Sequence, residues 1–163
     1  MGMMGSGKST CGRILARRLG RELADTDERI VARIGMPISE YFVRAGESAF
    51  RERETEVCRE LAGREDLVIA TGGGLVLRQE NVALLKRRGV LVFLNRPAGE
   101  IYDATSMAGR PLAQGGRDAF LATFAAREPV YRAAADAVIE DFSTVEATVA
   151  EILQTLKTRG DVL

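Results

Sequence analysis

The chain has no histidine and no tryptophan, only two cysteines and four prolines, and no net charge over its 163 residues. Without histidine it cannot form a Ser-His triad, a zinc site with imidazole ligands or an imidazole acid–base pair. Any chemistry must therefore use carboxylates, lysine, arginine, hydroxyls, backbone amides or a bound ion.

Balanced charge and short apolar runs exclude further classes of protein. The 23 basic residues are matched by 23 acidic ones, which argues against binding to a nucleic-acid backbone, since that requires a basic surface. No apolar run approaches the roughly 20 residues of a membrane span. Cys11 and Cys58 lack metal-binding or redox spacing, and two free thiols suit a reducing compartment. We therefore expect a cytoplasmic monomer that binds neither nucleic acid nor membrane.

The length and the apolar pattern predict one α/β domain over residues 1–163. Short, unbroken apolar runs are typical of strands buried in a parallel sheet, and amphipathic segments between them predict crossover helices. Predicted strands are 67–70, 90–94 and 137–139, with a further strand ending near Asp25. Predicted helices are 9–19, 27–34, 46–61, 81–88, 99–105, 118–134 and 144–157. Strands alternating with helices indicate a three-layer sandwich.

Residues 2–9 read GMMGSGKS, which is the complete G-x-x-x-x-G-K-[ST] phosphate-loop motif. Its glycines let backbone N–H groups curl around phosphate oxygens, the lysine reaches the β- and γ-phosphates, and the hydroxyl after it ligates Mg²⁺. The residues expected to bind the nucleotide are Gly5, Ser6, Gly7, Lys8, Ser9 and Thr10. The motif predicts ATP and Mg²⁺ as ligands.

A phosphate loop normally follows a strand, yet only Met1 precedes Gly2 in this sequence. We expect that a few residues ahead of Met1 are missing, and that an apolar stretch restored there would raise thermal stability. The alternative is a domain that folds with a gap in its sheet and is unstable.

Asp25 and Asp27 form a D-T-D motif about 17 residues after Lys8. Carboxylates two residues apart on an extended segment point to the same side, so one can lie near the Mg²⁺ while the other faces an acceptor hydroxyl. The alternative is that the pair caps a helix beginning at Glu28, because aspartate is favoured at that position.

Four more motifs follow in order along the chain. They are G-E-x-x-F-R-x-x-E over 46–54, T-G-G-G over 71–74, G-R-P-L over 109–112 and R-x-P-x-Y over 127–131. Three glycines directly after a buried strand let a ligand approach the backbone closely. Arg51 could instead belong to an exposed ladder of helical charges, and Arg127 could pair with Glu128 or Asp118.

Taken together, these motifs resemble those of the shikimate kinase family over essentially the whole chain. The resemblance implies a P-loop NTPase fold with a five-stranded parallel sheet in the order 2-3-1-4-5, whose first strand is missing or truncated here. It also implies a substrate-binding helical region at about 27–62 and a lid at about 107–117.

The resemblance further implies the reaction and the residues that perform it. The family transfers the γ-phosphoryl group of ATP to the 3-hydroxyl of shikimate, on the route to chorismate and the aromatic amino acids. The implied catalytic residues are Lys8, Asp27 and Arg110, with Arg110 moving from the lid onto the phosphates. The implied shikimate ligands are Asp27, Arg51, Gly72, Gly73, Gly74 and Arg127, and the implied Mg²⁺ ligands are Ser9 and, through water, Asp25.

Two departures from the family pattern lie near the lid. Asp103 stands close to where these kinases often carry an adenine-stacking arginine, and the lid reads R-P-L-A rather than R-P-L-L. We therefore expect ATP to bind weakly. Two rival functions remain: another small-metabolite kinase such as a gluconate kinase, and a catalytically silent module that senses a ligand.

Overall fold

The computed structural model describes residues 1–104, 115–140 and 142–160, and within them helices alternate with short strands. The strands are β1 (Glu22–Asp25), β2 (Leu67–Ala70), β3 (Val92–Leu94) and β4 (Ala137–Ile139). The helices are α1 (Lys8–Leu19), α2 (Thr26–Ile34), α3 (Ile38–Ala62), α4 (Gln79–Lys86), α5 (Ala98–Ala104), α6 (Gly116–Ala134) and α7 (Val145–Arg159), with a short 3-10 helix at Leu75–Leu77.

The four strands of the described ranges form two separate, parallel, two-stranded sheets. β1 pairs with β2, with Asp25 opposite Ala70, and β3 pairs with β4, with Phe93 opposite Val138. The predicted order 2-3-1-4-5 counts a strand ahead of the phosphate loop as strand 1. In that order β1 and β2 are strands 2 and 3, and β3 and β4 are strands 4 and 5. The central strand of that order stays a prediction.

Helices cover both faces of the β3–β4 sheet because its side chains alternate between two apolar clusters. Leu94 and Ile139 pack with residues of α1 and α7, whereas Phe93 packs with residues of α4 and α6. A third cluster joins Ala24 of β1 to α2 and α3. The alternation produces helix, sheet and helix layers, as the sequence predicted.

Most helix ends lie where local sequence signals placed them. Gly20, Gly35 and Gly160 adopt the left-handed conformation after α1, α2 and α7, where a side chain would be strained. Thr144 caps α7 by accepting a hydrogen bond from the Ala147 N–H at 3.0 Å. Capping depends on nearby residues only, so it can be read from sequence.

Several predicted bounds were wrong, by two residues or fewer except at the start of α3. α3 begins at Ile38 rather than at Gly46, and Gly46 is instead a kink within it, with φ 82° and ψ 170°. β3 begins at Val92 rather than Val90, and α2 begins at Thr26 rather than Asp27. Pro37 directly precedes α3, with φ −58° and ψ 146°, and its carbonyl accepts a hydrogen bond from the Tyr41 N–H at 3.0 Å.

The two cysteines are free and buried. Cys58 donates a weak hydrogen bond to the Asn81 carbonyl at 3.7 Å, and burial raises the pKa of its thiol to about 12. Both are therefore packing residues in the structure. Among the described helices, none combines the length and apolar composition needed to cross a membrane.

Candidate active site

The phosphate loop lies between the end of β3 and the start of α1. Gly7 precedes α1 with φ 93°, and Gly2, with φ 147°, approaches the Leu94 carbonyl so closely that a Cβ atom would be 2.8 Å from its oxygen. Side chains are strained or excluded at both positions. The first turn of α1 has no acidic residue, so its positive end is available to an anion.

Lys8 folds back over this loop. Its ammonium group donates a hydrogen bond to the Met3 carbonyl at 2.7 Å. The loop backbone therefore holds the lysine above the N-terminal end of α1, where phosphate oxygens bind in a loop of this type.

Asp25 joins the phosphate loop to α2 through both of its carboxylate oxygens. One oxygen accepts a hydrogen bond from the Ser9 hydroxyl at 2.6 Å, and the other accepts from the backbone N–H groups of Asp27 and Glu28 at 3.0 and 3.4 Å. The helix-cap interpretation of D-T-D is thus correct for Asp25, and the same side chain also contacts the phosphate loop. It places one carboxylate and one hydroxyl side by side.

Asp27 lies on the first turn of α2 and is half-buried. Burial is the main cause that raises the pKa of its carboxyl group, and the neighbouring Asp25 charge raises it further, while Lys8 and Arg51 oppose the shift. A Cβ atom at Gly72 would overlap the Asp27 carboxylate. Asp27 therefore occupies a tight position between the glycine segment and two cations.

Arg51 is held by two acidic side chains of its own helix. Its guanidinium donates to Glu54 at 2.7 Å and to Glu47 at 2.8 and 3.2 Å. Glu54 is 1% exposed and Glu47 is 65% exposed. Desolvation is the main cause that raises the pKa of Glu54. Arg51 therefore does form ion pairs with neighbours on its own helix, as considered above. They lie on an inward-facing side of that helix, since the Arg51 side chain is only 13% exposed.

Arg51, Asp27 and Arg127 line one cavity of about 190 Å³. Burial is the main cause that raises the pKa of the Tyr131 phenol. The charge of Arg127 and its hydrogen bond with the phenol oppose that shift. Glu128, the alternative partner considered for Arg127, instead accepts from Arg132 at 2.8 Å. The cavity is also lined by Met4, Ile38, Phe42, Glu47, Phe50, Glu54, Gly73 and Gly74.

Two residues without a predicted role hold the triple-glycine segment. The Gly72 N–H donates to the Thr26 hydroxyl at 2.7 Å, and the Tyr131 hydroxyl donates to the Gly73 carbonyl at 2.6 Å. Tyr131 lies four residues after Arg127, so both face the same side of α6. That spacing was a signal in the sequence, whereas the Thr26 contact spans 46 residues and has no local signal.

A model of the shikimate kinase family matches residues 4–157 of the chain. Similar proteins include the shikimate kinases of Symbiobacterium thermophilum, 42% identical over 99% of this chain and 96% of that protein, and Chromohalobacter salexigens, 43% identical over 100% and 93%. The chain belongs to the shikimate kinase family. It is therefore an ATP-dependent kinase with a P-loop NTPase-like α/β fold.

Solved structures of shikimate kinases superpose closely on this chain. The Acinetobacter baumannii enzyme in complex with shikimate has a TM-score of 0.91 and 37% identity, covering 97% of this chain and 90% of that one. The Aquifex aeolicus shikimate kinase has a TM-score of 0.87 and 35% identity, with coverages of 98% and 95%.

Most residues that the shikimate kinase resemblance implicates lie together, around the phosphate loop and the small cavity. Arg110 and most of the implied lid lie outside the described residues. Asp103, at the expected arginine position, accepts a hydrogen bond from Arg117 at 3.4 Å. An arginine of α6 thus lies beside the aspartate that departs from the family pattern.

Proposed function

We propose that the protein transfers the γ-phosphoryl group of ATP to the 3-hydroxyl of shikimate, giving shikimate 3-phosphate and ADP. The observation that carries this proposal is the half-buried Asp27 carboxylate, which lines a cavity together with Arg51 and Arg127 and lies beside the phosphate-loop lysine. The family membership and the similarity to an enzyme in complex with shikimate support it.

In this proposal the cavity residues bind shikimate. Arg51 and Arg127 bind its carboxylate, because planar guanidinium groups pair with carboxylates through two parallel hydrogen bonds. Asp27 accepts a hydrogen bond from the reacting hydroxyl and takes its proton as the new bond to phosphorus forms. The backbone of Gly72, Gly73 and Gly74 forms a wall with no side chain to exclude the ring.

The phosphate side of the site uses Gly5, Ser6, Gly7, Lys8, Ser9 and Thr10. Phosphoryl transfer depends on positioning and neutralisation of charge rather than on covalent chemistry by the protein. The adjoining Ser9 hydroxyl and Asp25 carboxylate are the hard oxygen donors that Mg²⁺ prefers, so they would hold it, Asp25 through water. Bound Mg²⁺ would neutralise charge on the phosphates.

Glu47 accepts hydrogen bonds from the Nε and Nη2 groups of Arg51, the edge of the guanidinium with which a substrate carboxylate would pair. Because exposed ion pairs contribute about 0.2–1 kcal/mol, Glu47→Gln is expected to lower the shikimate Kd about 1.5- to 5-fold. Calorimetric titration with shikimate measures this, and Glu52→Gln, an exposed change on the same helix, is the control. Weaker binding in Glu47→Gln would show that Glu47 orients Arg51 instead of competing for it.

Arg110 is proposed to close onto the transferring phosphoryl group. Arg110→Ala is then expected to lower kcat about 10²-fold and to change the shikimate Kd less than threefold, because an arginine of this kind acts mainly on the transition state. Steady-state kinetics and shikimate titration separate the two quantities, with Arg117→Ala as the nearby control. Unchanged turnover would contradict the role.

A coupled ADP-release assay tests the function and its rivals. Shikimate should stimulate ADP release in the presence of Mg²⁺ and ATP, and gluconate should not. Stimulation by gluconate alone would identify another metabolite kinase, whereas shikimate binding without turnover would identify a sensing module. Separate titrations with ATP and with shikimate measure the weak nucleotide binding expected from Asp103.

We propose the five-strand order 2-3-1-4-5, with the position between β2 and β3 as the central one. The proposed lid spans about 107–117, and the proposed substrate region spans about 27–62. Two buried free thiols support a reducing cytoplasm, where we propose that the protein acts as a monomer.

A further inference from the structure

Arg96 lies just beyond β3, on the side of the sheet that is covered by α1. Side chains of β3 alternate, with Phe93 in the apolar cluster of α4 and α6 and Leu94 in the cluster of α1 and α7. The Asn95 N–H donates to the Ile139 carbonyl at 3.0 Å, so the strand geometry continues past Leu94. Alternation therefore places Arg96, like Leu94, on the side of α1 and α7.

The contacts of neighbouring side chains agree with this placement. Asn95 faces the other side of the sheet, where its amide donates at 3.1 Å to Glu140, which also accepts from Arg132 of α6 at 3.1 Å. Burial is the main cause that raises the pKa of the Cys11 thiol, and the charge of Arg96 opposes that shift. Since Cys11 is the fourth residue of α1, Arg96 lies near the end of that helix at which the phosphate loop binds anions.

The guanidinium of Arg96 has a buried donor without an acceptor. Its Nε lies 3.7 Å from the Glu100 carboxylate, which is beyond hydrogen-bond distance. Among the described residues, no hydrogen-bond acceptor is found for this buried Nε. An unsatisfied donor of this kind costs free energy, and the Arg96 side chain is 28% exposed, so a ligand can reach it. The group is therefore suited to an acceptor that a ligand supplies.

The position of the acceptor site determines which way a nucleotide lies across the phosphate loop. Asp27 follows β1, and the cavity that it lines with Arg51 and Arg127 lies on the side of β1, α2 and α3. The γ-phosphate must face this cavity, because phosphoryl transfer places the attacking and leaving oxygens in line. The α-phosphate and the nucleoside therefore extend the other way, over the end of β3, where Arg96 lies.

We propose that Arg96 binds the α-phosphate of ATP, at the end of the phosphate loop opposite to Asp27. Turning away from Glu100, its guanidinium donates the Nε–H and one Nη–H to two phosphate oxygens, the paired geometry that suits arginine. Arg96 thereby complements Lys8, which reaches the β- and γ-phosphates. The inference rests on the proposed use of the phosphate loop and adds a nucleotide contact from outside the motif at residues 2–9.

The test is calorimetric titration with ADP in the absence of shikimate, so it requires no turnover. Arg96→Gln is expected to raise the ADP Kd about 10- to 100-fold, because charge-assisted hydrogen bonds to the phosphate are lost. Arg96→Lys keeps the positive charge and should raise the Kd only about 2- to 10-fold. The Tm of both variants should stay within about 3 °C of the unchanged protein, since the pair with Glu100 is long and exposed.

Two control variants and a second ligand define the contact. Arg88→Gln removes the same charge ahead of β3, where Arg88 pairs with Glu65 at 2.9 Å, and should leave the ADP Kd within about twofold. Glu100→Gln removes the acid nearest to the Arg96 Nε and should lower the ADP Kd about 1.5- to 5-fold. Inorganic tripolyphosphate, which has no nucleoside, should lose affinity in Arg96→Gln by the same factor as ADP.

Each other result overturns the proposal. An unchanged ADP Kd in Arg96→Gln would refute the contact and leave the proposed reaction intact. A loss of affinity for ADP but not for tripolyphosphate would assign Arg96 to the nucleoside instead of the α-phosphate. An equal loss in Arg88→Gln would show an effect of net charge alone. If the unchanged protein bound no ADP, the proposed use of the phosphate loop would fail together with this inference.

Discussion

Replacing Asp27 with asparagine is expected to lower kcat about 10²- to 10⁴-fold, the usual contribution of a general base. The proposed reaction needs an acceptor for the hydroxyl proton, and the amide of asparagine cannot accept a proton at neutral pH. Shikimate binding should change much less, because the amide oxygen still accepts a hydrogen bond. Steady-state kinetics with both substrates varied measures the two effects separately.

The same substitution is expected to stabilise the fold at neutral pH. Asp27 has a raised pKa in the folded protein, so its contribution to stability is present at low pH and is lost as pH rises through that raised pKa. The stability gained in Asp27→Asn should therefore increase from pH 4 to pH 7.5. Urea unfolding of both proteins at several pH values measures this gain. Glu54, whose pKa is also raised, is present in the unchanged protein and in the variant, so its effect is common to both.

Glu28→Gln is the matched control, since it makes the same chemical change at the next residue, which is exposed. It should leave kcat and the pH dependence of stability nearly unchanged. If Asp27→Asn retained kcat within tenfold, Asp27 would not be the proton acceptor. If it destabilised the protein at pH 7.5, the Asp27 carboxylate would be stabilising through its contacts with Lys8 and Arg51 instead.

Replacing Arg51 with alanine is expected to weaken shikimate binding about 10²- to 10⁴-fold. The estimate follows from the loss of two charge-assisted hydrogen bonds of about 1.5–3 kcal/mol each. Stability should fall as well, by about 3–5 kcal/mol, because Glu54 would remain buried without its partner. Calorimetric titration with shikimate and urea unfolding measure the two losses.

A second substitution separates the binding role of Arg51 from its structural role. Arg51→Ala combined with Glu54→Gln removes the buried charge and should recover at least half of the lost stability, but none of the affinity. Arg53→Ala is the control, because Arg53 pairs with Glu56 on the exposed side of the same helix. A shikimate Kd within tenfold of the unchanged protein would contradict the clamp role of Arg51.

The phosphate loop and most helix ends were predictable because their causes are local. Gly7 and Lys8 act through a short loop, and Gly20 ends α1 through its own backbone conformation. By contrast, the kink at Gly46 was read as the start of a helix. A glycine with positive φ can end, start or bend a helix, and the packing of α3 against α2 and α4 selects the third outcome here.

The sequence by itself determined the chemistry available to this protein: a lysine and arginines for anions, two aspartates, and no histidine. Only the tertiary structure decided which of these groups share a site. The Ser9 hydroxyl meets Asp25 across 16 residues, and the Tyr131 hydroxyl meets Gly73 across 58. Contacts over such separations form only when distant segments pack against each other, so no local pattern of residues predicts them.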